Sequence, residues 1–199
     1  MENKVQKEIV DYFSFFEEFH NTSKACLKNC QDCAISINKL IKRCNNIQEA
    51  EIIGTPLENF ENLQYKLSGL LHNKISQEIL EIRSELSKVE DLFEKLSHKH
   101  QTLLESCRNL DLEETTPIVK GTPLQPPLKK LLEFAEDSLS FGSEVCAQID
   151  TSLNVLTYKG LKTESLVDNF KIQSHWQLRI PEIISYTSFC SDNSTLLSI

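Results

Sequence analysis

Cys26, Cys30 and Cys33 spell C-x3-C-x2-C, the spacing of the iron–sulfur triad in radical-SAM enzymes. There, three thiolates hold a cluster on a loop after a barrel strand, and the open iron takes the SAM cofactor. Here the triad lies inside an uninterrupted helical pattern, and the βα repeats of a barrel are missing. A buried thiol behaves as a small apolar side chain, so cysteines on a helix stripe are expected in a core. A zinc site also needs a fourth ligand. His20, the only close histidine, lies six residues before Cys26. No metal and no cofactor is expected.

Glu17 and His20 make one E-x-x-H. Di-iron sites in helix bundles need two such motifs and two further inward glutamates. His72, His98, His100 and His175 each lack a glutamate three residues before. His98 and His100 are two apart on a helix and point in divergent directions. Phosphate-loop, dinucleotide and nucleophile-elbow motifs are absent, and five glycines leave little material for them. The carboxylates are spaced as solvated helix faces, which leaves no candidate acid–base pair. No catalytic residue is named, and the expectation is a protein that is not an enzyme.

The elements that carry these residues are helices. With Ile9 at position a of a heptad, the a positions are Ile9, Phe16, Ser23, Cys30, Ile37 and Cys44. Adding the positions three and four residues later, 15 of 18 are apolar. The stripe predicts one helix from Val5 to about Glu51, about 70 Å long at 1.5 Å per residue. Gly54 then stops it, and Thr55, Pro56 and Glu58 read as a capping box for a second helical region. Its apolar positions begin Leu57, Phe60, Leu63, Leu67, Leu70, Leu71 and Ile75, and it reaches Leu110, with Gly69 marking a bend or break. Residues 111–127 hold four of the six prolines and form an acidic linker. Gly-Thr-Pro-Leu occurs at 54–57 and again at 121–124, read as one start signal used twice. A third helix is expected from Leu128 to Leu156, with a stripe of Leu128, Leu131, Leu132, Ala135, Leu139, Val145, Cys146, Ile149, Leu153 and Leu156, ending at Tyr158-Lys159-Gly160. Thr163-Glu164-Ser165 opens a shorter helical region, Pro181 restarts the chain, and the last ten residues read as a loose end.

The fold expected is all-α: an elongated bundle of three long helices plus a shorter C-terminal helical segment. Residues 1–110 would form a long hairpin, 111–127 the linker, and 128–199 C-terminal helices packing on the hairpin, one domain overall. The C-terminal segment is poor in charge and holds the only tryptophan. Aromatic residues are enriched at interface hot spots. Phe170, Trp176, Ile183, Ile184 and Phe189 are therefore the candidate partner-binding residues, with closure of the bundle core as the alternative for the aromatic ones.

Composition limits the partners. The 199 residues carry a net charge of −8. Segments 1–53, 54–110, 111–162 and 163–199 carry −1, −2, −3 and −2, so no segment is basic. A field that attracts phosphate backbones is absent, and no direct nucleic-acid contact is expected. Lys39, Lys42 and Arg43 form the nearest thing to a basic patch, read as a solvated helix face. MENKVQKEIV has no apolar h-region, which predicts no signal peptide. No apolar stretch approaches a membrane span. Seven cysteines without a secretory signal predict reduced thiols in the nucleus or cytoplasm.

The order of segments resembles the AIRIM family, small all-helical ribosome maturation factors related to CINP. The residues that carry the resemblance are scattered. Leu27, Cys30-Gln31, Ile37 and Leu40 lie in the first helix, and Pro56, Phe60, Leu63 and Leu67 lead into the second. Arg83, Leu86, Lys88-Val89 and Asp91 sit in its middle. Pro123, Pro126, Leu131-Leu132-Glu133 and Asp137 open the third, and Trp176, Ile183-Ile184 and Ser188-Phe189 complete the order. The match runs from about residue 23 to 192. It implies a non-enzymatic adaptor subunit acting in maturation of the large ribosomal subunit. The implied partners are AAA+ ATPases, a second helical CINP-like protein and, indirectly, the pre-ribosomal particle. One departure is that Leu131 to Tyr158 contains no Lys or Arg, where the family's third helix is rich in both. A coiled-coil subunit of another assembly, of kinetochore or vesicle-tethering type, shares every compositional feature.

Overall fold

The fold was described from a computed structural model. The structure describes residues 2–108, 110, 116–157 and 166–194. Among them there is no strand, and the chain is all-α. The acidic head of the linker, the expected end of the third helix at 158–160, the helix start at 163–165 and residues 195–199 of the tail lie outside the described residues.

Helix α1 spans Glu2–Glu49. All six a positions of its heptad are buried, Ser23 included. An unbroken stripe of this kind makes a helix through tertiary burial rather than intrinsic propensity. Ser23 Oγ has no hydrogen-bond partner, a polar atom held in the core by its neighbours.

The Thr55 signal caps a turn, but with its two hydrogen bonds each one residue away from those of a capping box, and it starts something shorter. Thr55 Oγ1 accepts from Leu57 N (3.3 Å), and Glu58 Oε2 accepts from Gly54 N (2.9 Å). The caps open only a single 3-10 turn, Pro56–Asn59, closed by Phe60, whose N–H donates to the Leu57 carbonyl; Asn62, in the left-handed region (φ 58°), comes just before the next helix. Helix α2 begins only at Leu63 and runs to Cys107. Gly69 does not break it. A side chain added there would meet nothing within 4 Å, so the glycine sits on an open face.

The second Gly-Thr-Pro-Leu repeats the local device without a helix directly behind it. Gly54 and Gly121 both adopt positive φ (79° and 82°). Thr122 Oγ1 accepts from Leu124 N and Gln125 N, just as Thr55 serves Leu57. The one-turn helix α3 (Pro117–Lys120) precedes this turn. Helix α4 then spans Leu128–Thr157.

After a 3-10 turn at Asp168–Phe170 comes α5, Ser174–Ser194. Pro181 lies inside α5 and does not restart the chain. Its ring removes the bond to the Gln177 carbonyl. Both residues are exposed, so water can serve that carbonyl while the opposite face, Ile180, Ile183 and Cys190, stays buried.

The chain divides into two compact units. Unit 1 comprises residues 1–25, 88–147 and 172–199. Its core joins Tyr12, Phe16 and Phe19 of α1, Leu96 and Leu103 of α2, Phe134 and Phe141 of α4, and Ile180 and Ile183 of α5. Unit 2 comprises residues 26–87 and 148–171. Its core holds Cys30, Ala34 and Ile37 of α1, Ile82 of α2, Ile149 and Leu153 of α4, and Leu166 and Phe170. Gln148 Nε2 donates to the carbonyls of Asn169 and, at 2.8 Å, Lys171, which ties the 3-10 turn to α4.

Candidate functional site

The cysteine triad is interior to unit 2. Cys26, Cys30 and Cys33 are all buried, on the a and d positions of α1. Burial, reinforced by the Glu85 carboxylate, pushes the Cys30 thiol up to about 12. Burial, together with Glu78, does the same for Cys33. A thiol held protonated at neutral pH is a poor nucleophile. Among the described residues no group of three or more His, Cys, Asp or Glu is arranged to hold a metal ion. None of the seven cysteines is in a disulfide. A thiol reagent at about pH 8 is expected to label the native chain slowly and all seven cysteines once it is unfolded. Rapid native labelling would show that the stripe is open.

Glu17-x-x-His20 builds no site either. Glu17 is exposed, while His20 packs beside the Phe141 ring (5.7 Å) with Nδ1 buried and unpartnered. His100 is buried against Tyr12 (5.8 Å), with Nε2 3.4 Å from Glu136 Oε1 but not in hydrogen-bond geometry. Burial lowers the pKa of both histidines; Lys24 adds to this at His20, and Glu136 partly opposes it at His100. A depressed folded pKa means the unfolded chain binds protons first as pH falls. Stability is therefore full above the ordinary histidine value, about 6.5, and is lost below it. Urea midpoints should fall between about pH 7.5 and 5, and His100→Gln should flatten the slope. An unchanged slope in that variant would remove His100 from the account.

The C-terminal candidates fall into two groups. Phe170, Trp176 and Ile183 are buried, Ile184 is half-buried, and Phe189 is 51% exposed. Trp176 belongs to an aromatic cluster in unit 1. Its ring meets Phe141 edge-on at 5.6 Å, and Phe141 in turn meets Phe16 and Phe19. Gly142 lets the Phe93 ring of α2 approach α4 closely, since a Cβ there would lie 2.5 Å from Phe93 Cδ2. Trp176 Nε1 donates to Glu144 Oε2 at 2.7 Å. Arg179 donates to Asp137 (2.7 Å) and Glu182 (2.7 Å). Two carboxylates of the acidic third helix thus hold α5 in place. Phe134 and Phe141, both fully buried, were missing from the stripe read for that helix.

Phe189 opens onto the first exposed apolar feature. With Tyr186, Phe134, Pro127 and Leu124 it lines a groove of about 370 Å³ in unit 1. Tyr186 stacks on Phe134 at 5.9 Å.

The larger apolar surface lies in unit 2, in residues that the periodicity assigned to a helix core. No residue from Glu51 to Glu81 is buried. Ile53 (85%), Tyr65 (82%), Leu70 (61%) and Phe60 (60%) are among the most exposed. Extended exposed apolar patches of this kind mark interaction sites. Gln64 Nε2 donates to the Ile47 and Ala50 carbonyls (2.9 and 2.8 Å), pinning the start of α2 to the end of α1. Beside this anchor a groove of about 710 Å³ is lined by four aliphatic side chains, Ile47, Leu67, Leu70 and Leu71, together with Arg43, Lys74 and three amides. The available signal was an excess of large apolar residues over positions: Tyr65, Leu67 and Leu70 are more than one stripe can bury.

These features define an all-helical chain that displays apolar surface in its second unit. A family model described as "Ribosome biogenesis protein C1orf109-like" matches residues 3–189, and the chain belongs to that family. This is the AIRIM family that its segments resemble. The protein is thus a ribosome biogenesis factor by family. No curated protein and no solved structure matches it.

Proposed function

We propose that the chain is a non-enzymatic adaptor subunit in maturation of the large ribosomal subunit, in the nucleus and cytoplasm. It pairs with a second small helical protein related to CINP, and the pair recruits AAA+ ATPases to the pre-ribosomal particle. Family membership supports the pathway. The observation that supports the adaptor role is the uncovered apolar surface of unit 2 from Ile53 to Leu80. Each large aliphatic side chain covered by a partner contributes about 1.5–3 kcal/mol if it is fully removed from water, so a few suffice for a specific complex.

The test is a tagged pull-down of the full chain from its native cell, with mass spectrometry of what comes down. AAA+ ATPases and a second helical subunit near stoichiometry are expected. Kinetochore or vesicle-tethering subunits in their place would sink this reading.

A further inference from the structure

The groove at the end of α1 has a charge character that segment sums conceal. Ala34–Gln48 of α1 carries Lys39, Lys42 and Arg43 and no carboxylate. Leu63–Gln77 of α2 carries Lys66 and Lys74 and no carboxylate. Two fifteen-residue stretches in one unit thus hold five cations, in a chain whose net charge is −8. The structure sets Arg43 and Lys74 at one groove with four aliphatic side chains, and no acidic residue lines it.

From this we infer that the groove takes an amphipathic helix of a partner protein, with acidic residues flanking its apolar stripe. The inference rests on the adaptor reading and names the partner surface that the reading requires. Apolar grooves receive partner helices through side chains at i, i+3/i+4 and i+7. The two cations select acidic flanks and reject basic ones. Single-stranded nucleic acid fits less well, because it needs stacking platforms and no aromatic ring lines the groove. A second copy fits poorly too. The same cationic faces would repel each other, and Asp137 and Glu144 of the acidic α4 are already engaged by Arg179 and Trp176.

The test places the photo-crosslinker p-benzoylphenylalanine at Leu70 in the tagged full chain, irradiates native cells, and maps the attachment site by fragment sequencing. The expected result is attachment within a segment of another protein with helical apolar spacing and flanking Asp or Glu. A synthetic peptide of that mapped segment should then bind the R43E/K74E chain at least tenfold more weakly than the wild type, and Lys in place of its acids should restore binding. R43Q/K74Q should give an intermediate loss. Circular dichroism checks that both variants fold. Attachment to RNA, to lipid, to a second copy or to nothing would overturn the inference, as would a peptide indifferent to charge reversal. Failure of the groove assignment is distinct from failure of the adaptor reading. If the wild type retrieves AAA+ ATPases and R43E/K74E retrieves the same set, only the groove assignment falls. If the wild type retrieves none, the adaptor reading falls first.

Discussion

Replacing Trp176 with alanine will lower the unfolding free energy by about 3–5 kcal/mol, the range for truncating a large buried aromatic. The residue is 7% exposed, and its ring packs edge-on against Phe141. Phe141 also touches Phe16, Phe19 and His20, so the cavity opens at the centre of unit 1. Close packing leaves little room for neighbours to collapse into it. The lost hydrogen bond to Glu144 is a minor part, because Glu144 remains within reach of water. Trp176→Phe should therefore cost much less than Trp176→Ala, since it keeps most of the ring and loses mainly the bond, about 1 kcal/mol. Urea unfolding followed by far-ultraviolet circular dichroism separates the two. A midpoint unmoved by Trp176→Ala would mean that the residue is not core. The result also governs binding studies: a partner lost from a Trp176→Ala chain reports unfolding before it reports an interface.

Replacing Leu67 and Leu70 together with aspartate will leave stability almost unchanged and weaken partner binding by at least about 100-fold. Leu67 is 38% exposed and Leu70 61% exposed, so neither contributes much to the folded chain's core. Surface substitutions of this kind usually shift stability by about 0.5 kcal/mol or less. On the partner's side the loss is large. Two aliphatic contacts are replaced by charges that must be desolvated, and those charges neutralise Arg43 and Lys74 while repelling an acidic helix. Titration of the wild-type and variant chains with the purified second subunit checks this. Equal affinity would move the interface elsewhere, and a collapsed urea midpoint would show that the two leucines are structural.

Much of the fold is written in periodicity. The α1 stripe predicts its own helix and all six buried a positions, because a long uninterrupted pattern leaves no other way to hide those side chains. The cysteines were legible for the same reason: their places on the stripe outweigh their metal-like spacing. Punctuation was less decisive. Gly69 and Pro181 each mark a break in sequence, but both sit on exposed faces and the helix runs on through them. Tertiary packing decides such cases, and a one-dimensional pattern does not contain it. Phe134 and Phe141 escaped the α4 stripe because the stripe was drawn through Leu132 and Leu139, which are only half-buried and lie at the opposite edge of the one buried face.

The site was harder to read than the fold. Trp176 and Phe170 are aromatic in a segment poor in charge, which suits a hot spot and a core equally. Only three-dimensional packing separates them, and it makes both interior while leaving Phe189 outside. In the other direction, Leu57, Phe60, Leu67 and Leu70 fit a helical core pattern and are exposed. A pattern shows that a face is apolar; it does not show whether the cover comes from the same chain. The cations Lys39, Lys42 and Arg43 were visible as a cluster, but their meaning depends on Lys74 and the leucines beside them, about thirty residues away in sequence.

The most direct test of the account replaces the endogenous protein with the Leu67→Asp/Leu70→Asp chain at matched abundance and follows ribosomal precursors on sucrose gradients. The account predicts that large-subunit precursors accumulate and mature large subunits fall, while small subunits are made normally. A gradient indistinguishable from wild type, with the variant folded and at full level, would contradict the claim that this surface carries the protein's function.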